Sequence, residues 1–148
     1  MDAAQEKMSS GQATMNPERE PLTELEVENI ARICHEANRA YCLGLGDASQ
    51  LPWAEAPEWQ KQSARNGVRH RIDNQGRPTR YIFNEDEASH NSWMEEKLRA
   101  GWTYGATKDP EKRRHPCLLP YASLPPEERR KDALFGAVCG AVDPRRAL

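Results

Sequence analysis

The sequence predicts a mainly α-helical domain of two helix pairs related by a pseudo-two-fold axis, with long irregular loops that leave room for short β segments. Three observations predict it. Apolar residues recur at three- and four-residue steps over residues 23–43. Cap and stop residues bracket four stretches of helical length. The two halves of the chain also repeat one another weakly. The chain has 148 residues, enough for one domain with a core, although only 37% of them are apolar. Residues 1–20 hold polar side chains without an aromatic residue or an apolar period, and are expected to form a disordered arm. The domain is then 21–143, with halves 21–83 and 84–143, and 144–148 is a flexible tail.

The first helix is expected over Thr23–Leu43. Thr23 with Glu26 makes a capping box, and Glu24, Glu26 and Glu28 suit the positive end of the dipole. Leu22, Leu25, Ile30, Ile33, Cys34, Ala37 and Tyr41 form the inward stripe, and Gly44 and Gly46 stop the helix. Pro57 opens a second helix, Glu58 to about Val68, with Gly67 near its end. Over 68–83, two alternating runs (Val68, His70, Ile72 and Thr79, Tyr81, Phe83) flank an Asp73-Asn74-Gln75-Gly76 turn, the pattern of a short hairpin.

Asn84, with Glu87 three residues on, caps a third helix to Ala100. Its inward stripe is Trp93, Met94, Lys97, Leu98 and Gly101. Residues 102–124 are dense in turn formers, and Pro125-Pro126 opens a fourth helix to about Cys139, bounded by Gly140 and Pro144. The repeat aligns His35-Glu36-Ala37-Asn38 with His90-Asn91-Ser92-Trp93, and the helix from Pro57-Glu58 with that from Pro126-Glu127. Two related helix pairs would share a groove, the natural place for a ligand.

Composition removes several function classes. A net charge of −2 argues against a non-specific binder of nucleic-acid polymers. No window approaches the roughly 18 apolar residues of a membrane helix, and the first twenty residues lack a signal peptide's apolar run. Cys34, Cys42, Cys117 and Cys139 are scattered, so free thiols in a cytoplasmic protein are expected. Neither a cofactor nor a metal is expected. No Cys or His spacing matches a zinc motif, and no Gly-rich phosphate loop is present. No carboxylate sits isolated among apolar residues, and Cys34 and His35 diverge on a helix, so the chain is not expected to be an enzyme.

The residues instead suggest a binding site. His90, Trp93 and Lys97 share one helix face, an aromatic plate flanked by an imidazole and an ammonium. That set suits a base stacked on Trp93 with phosphate near Lys97. Tyr104 adds a hydroxyl, and Lys108 and Lys112 belong to a basic run that can close over an anion, or simply be solvated. His35, Asn38 and Arg39 on the first helix supply the opposite wall, or a buried polar network. Gly101, Trp102 and His115-Pro116 read as architectural, with His115 latching onto backbone.

His90-Asn91-Ser92-Trp93, Gly101-Trp102-Thr103-Tyr104-Gly105, Lys108-Asp109, Lys112, His115-Pro116-Cys117-Leu118 and Leu124-Pro125 together resemble the ryanodine-receptor repeat (RyR) domain family over roughly residues 87–138. Asn91 stands where the family has Glu. From residue 30 onward the chain resembles small stand-alone phage and bacterial RyR-domain proteins. The resemblance implies a regulatory, non-catalytic module whose cleft takes a nucleotide-type ligand stacked on Trp93. It also implies that one chain completes the cleft from its own halves or as a homodimer. A phage-encoded form would act in the host cytoplasm as a sponge for a defence second messenger, and a host form as a sensor. The alternative function is a protein-interaction module docking a partner or self-associating through its aromatic loops. An exposed Leu51, Trp53 and Trp59 cluster would mark it.

Overall fold

The computed structural model describes residues 20–73 and 84–146. In chain order these form α1 (Glu24–Gly44), a 3-10 turn (Trp53–Glu55), α2 (Glu58–Ile72), α3 (Glu85–Arg99), β1 (Thr103–Tyr104), β2 (Arg114–His115), a second 3-10 turn (Tyr121–Ser123) and α4 (Pro126–Val142). The two strands pair in parallel, Thr103 opposite Arg114 and Tyr104 opposite His115. No helix among the described residues is long and apolar enough to cross a membrane.

Helix α1 starts where the capping box requires. The Glu26 N–H donates to Thr23 Oγ1 at 3.1 Å, and the Thr23 N–H donates to Glu26 Oε1 at 3.0 Å. Its buried face is Val27, Ile30, Ala31 and Cys34, packed with Trp53, Val68 and Cys139. Leu25, expected on that face, is 68% exposed. It lies two residues before Val27, about 200° round the helix, and Leu22 reaches the core from ahead of the cap instead.

Helix α2 runs through Gly67 to Ile72, so Val68, His70 and Ile72 are helical rather than strand. Val68 and Ile72, four residues apart, share the buried face. Their apparent alternation was part of a helical period. The other flank of the expected hairpin, Thr79 to Phe83, lies outside the described residues. Gly67 is no stop: a Cβ there would sit 2.9 Å from the Phe135 ring, so glycine lets α2 and α4 cross closely. Helix α4 likewise passes through Gly140 and ends at Val142, because Asp143 before Pro144 is held extended.

Helix α3 is capped as expected, with Asn84 Oδ1 accepting from the Glu87 N–H at 3.0 Å. Leu98 is 53% exposed, off its expected inward stripe, whereas Lys97 beside it is buried. Helix α1 packs on α2 and α4, and α3 packs on the same two helices from its own side.

The pseudo-two-fold relation is sharper in the structure than in the sequence. At the end of α1 the Gly46 N–H donates to Leu43 O and the Asp47 N–H to Cys42 O. At the end of α3 the Gly101 N–H donates to Leu98 O and the Trp102 N–H to Lys97 O. Gly46 and Gly101 share φ near +90°. His35 Nε2 then lies 2.6 Å from Leu51 O, and His90 Nε2 lies 2.7 Å from Leu119 O. Leu51-Pro52-Trp53-Ala54 matches Leu119-Pro120-Tyr121-Ala122, and each stretch turns into a 3-10 helix. This corrects the repeat's register: Pro57 corresponds to Pro125, both extended caps, and not to Pro126. Gly67 and Phe135 then become equivalent residues that meet where α2 and α4 cross. Between Gly101 and Leu119 the second half carries thirteen more residues than the first half has between Gly46 and Leu51. That insertion holds β1, β2 and the basic run.

Candidate functional site

A cavity of about 580 Å³ opens between the halves, within the range of small-molecule sites. Helices α1 and α3 both wall it, α2 and α4 floor it, and the insertion adds Trp102, Lys108, His115 and Cys117. The two histidines hold the entrance loops. Each spends its Nε2 hydrogen on a leucine carbonyl, which fixes Nε2–H as the neutral tautomer.

An aromatic ladder runs from the second 3-10 turn into the cavity. Tyr121 lies 6.0 Å from His90, His90 lies 5.7 Å from Trp93, and Trp93 meets His115 edge-on at 4.9 Å. His115 lies 6.2 Å from Trp102, which lies 5.3 Å from Trp59. His115 is the latch of the insertion: its Nδ1 accepts from the Cys117 N–H at 3.0 Å. Burial, with Lys108 and Lys131 nearby, pushes its pKa down to about 3, so the ring is neutral.

Two lysines stand out electrostatically. Lys97 is 5% exposed, with Nζ 4.7 Å from the Trp59 ring centre and 5.6 Å from that of Trp102. Lys108 is partly buried on the insertion. Neither makes an ion pair or hydrogen bond among the described residues. Burial lowers both pKa values below the usual lysine range. Lys131 differs. Burial opposes its charge, but a 2.8 Å contact with Glu128 outweighs this and raises its pKa.

The acidic counterpart is Asp132. Burial and then the Asp86 charge push its pKa up to about 7. This corrects the expectation that no carboxylate is so perturbed; the buried setting comes from helix packing, which neighbours in sequence do not reveal. Its nearest basic atom is His90 Nδ1 at 4.0 Å. Asn38 Oδ1 is also buried without a hydrogen-bond partner. Among the described residues, no three His, Cys, Asp or Glu side chains converge as a metal site. The four cysteines are free, with Cys34 Sγ 3.7 Å from Cys139 Sγ.

Of the residues singled out from sequence, His35, Asn38, His90, Trp93, Lys97 and Lys108 line this one cavity. Tyr104, Lys112 and Arg39 do not. Tyr104 is 51% exposed although Trp102, two residues earlier, is buried, so the strand alternation did not hold across this short bridge. Lys112 is exposed in the turn after Asp109, and Arg39 pairs with Glu36 at 3.0 Å. Sequence reasoning missed Trp59, Lys131 and Asp132 as lining residues. The repeat was the only signal for them, since α2 and α4 are equivalent walls.

These features define a mainly helical domain of two related helix pairs with an aromatic, lysine-bearing cavity between them. Residues 83–135 match the family model of the RyR domain, and the chain carries a RyR domain in that segment. The match spans α3, the insertion and the first part of α4.

Proposed function

We propose that the chain is a non-catalytic binder of a small aromatic anion of nucleotide type, held between its halves and acting in the cytoplasm to sequester or to sense that ligand. One observation carries this reading: Lys97 and Lys108 line a single cavity walled by Trp59, Trp93 and Trp102, and among the described residues neither has a carboxylate within ion-pair distance. A buried ammonium without an ion-pair partner is costly, and an anionic ligand relieves that cost. Trp plates add stacking worth about 1–3 kcal/mol per base. The competing interaction-module reading has less support, because Trp53, the middle of its expected patch, is buried in the core.

The test is a thermal-shift screen against mono-, di- and cyclic nucleotides and ADP-ribose derivatives. A ligand at 100 times its Kd adds about 2.7 kcal/mol of stability. Trp93→Ala is expected to abolish the shift, and Tyr104→Ala, outside the cavity, to leave it intact. A folded chain that responds to none of these ligands would overturn the reading.

A further inference from the structure

Besides the two lysines, the cavity holds a buried carboxylate that has been given no use so far. Asp132 lines the same cavity with 19% of its side chain exposed. Among the described residues its carboxylate accepts no hydrogen bond, and its one near basic atom, His90 Nδ1, lies 4.0 Å away. Such a carboxylate normally acquires donors. Its equivalent in the other half is Ala64, so packing of the shared scaffold does not call for an acid there.

Position relates the two ends. His90, Trp93 and Lys97 occupy one face of α3 over two turns, about 10 Å along the axis. Asp132 faces the His90 end, the unpaired lysine lies at the other end, and Trp93 is between them. A flat ring stacked at Trp93 therefore presents one edge to Asp132 while its anionic substituent reaches Lys97 and Lys108.

The surroundings of Asp132 decide which edge fits. Asp86 and His90 from α3, Arg71 from α2, and Glu128 and Lys131 from α4 surround it. Arg71 already serves Asp86 at 2.9 Å, and Lys131 serves Glu128. Those two pairs balance, so the charge of Asp132 itself has no partner among the described residues. On a nucleobase, which carries no positive charge, two adjacent N–H donors satisfy both carboxylate oxygens.

Resting on the binding function proposed above, we infer that Asp132 is a specificity residue that reads a pair of adjacent N–H donors on the ligand's ring, the edge presented by guanine. The raised pKa of Asp132 agrees with a carboxylate awaiting donors, since two such bonds favour its charged form.

Calorimetric titration of the full chain with GDP, IDP and pyrophosphate tests this at pH 8. IDP lacks only the exocyclic amine of GDP. Wild type is expected to bind GDP about ten- to a hundredfold tighter than IDP, the worth of one charge-assisted hydrogen bond. Asp132→Asn is expected to erase that preference while leaving pyrophosphate binding unchanged. Equal affinity for GDP and IDP in wild type, or a preference that survives in Asp132→Asn, overturns the assignment of Asp132 and leaves the binding function standing. Failure of the folded wild type to bind either nucleotide overturns the assignment of Asp132, and the binding function falls with it only if the wider nucleotide screen is also silent.

Discussion

The two halves share their hinges and differ in their equipment. Both end their first helix on a glycine with φ near +90°, both tie a histidine to a leucine carbonyl, and both enter their second helix through a 3-10 turn and an extended proline. At equivalent positions, however, Asn38 corresponds to Trp93, Cys42 to Lys97, Ser63 to Lys131 and Ala64 to Asp132. The first half supplies mostly neutral wall, and the second supplies charge and an aromatic plate. A symmetric scaffold has thus been given an asymmetric cavity, suited to one ligand with two different ends.

The largest test of that comparison is on its anchors. Trp53 is buried in the core and Tyr121 is only half-buried. Trp53→Ala is expected to cost about 3–5 kcal/mol in urea unfolding and Tyr121→Ala about 1–2 kcal/mol. Equal losses would mean that the halves are anchored alike.

A second test separates the equipment by pH. Asp132 titrates in the fold at about 7, above its ordinary 3.8, so the fold holds an extra proton between these values and loses stability as pH rises through them. His115 titrates at about 3, below its ordinary 6.5, so the fold loses stability as pH falls from 6.5 toward 3. The two slopes oppose one another. Relative to wild type, Asp132→Asn is expected to gain about 2–4 kcal/mol between pH 4 and 7, and His115→Asn to lose a similar amount. Urea midpoints across pH 4–8 check both. A variant that runs parallel to wild type would remove that group from the account.

The smallest effect probes what the halves have in common. His35→Ala and His90→Ala each delete one hydrogen bond to a leucine carbonyl and are expected to cost the same, about 1–3 kcal/mol. A loss confined to one variant would show that the hinges are not equivalent.

Much of the fold was legible in the sequence because caps act locally. Thr23-x-x-Glu26, Asn84 and Pro125-Pro126 placed three helix starts, and Gly46 and Gly101 two stops. Glycines inside helices were misread. Gly67, expected near the end of α2, lies inside it, and its reason, the Phe135 ring, comes from a distant part of the chain. The α3 face of the site was legible from helical spacing alone. The walls on α2 and α4 were not, since Trp59, Lys131 and Asp132 become neighbours of Trp93 only through the crossing of the helix pairs.

Lys97→Met tests the central claim most directly, because function and stability should move in opposite directions. Methionine fills a similar volume beside Trp59 and Trp102 without a desolvated charge. Thermal unfolding with and without a nucleotide that shifts the wild type is the measurement. A Lys97 kept for an anionic ligand predicts a raised Tm for the unliganded variant and loss of the ligand-induced shift. A lowered Tm with the ligand shift retained would show that Lys97 serves the fold, and would contradict a cavity built to bind an anion between the halves.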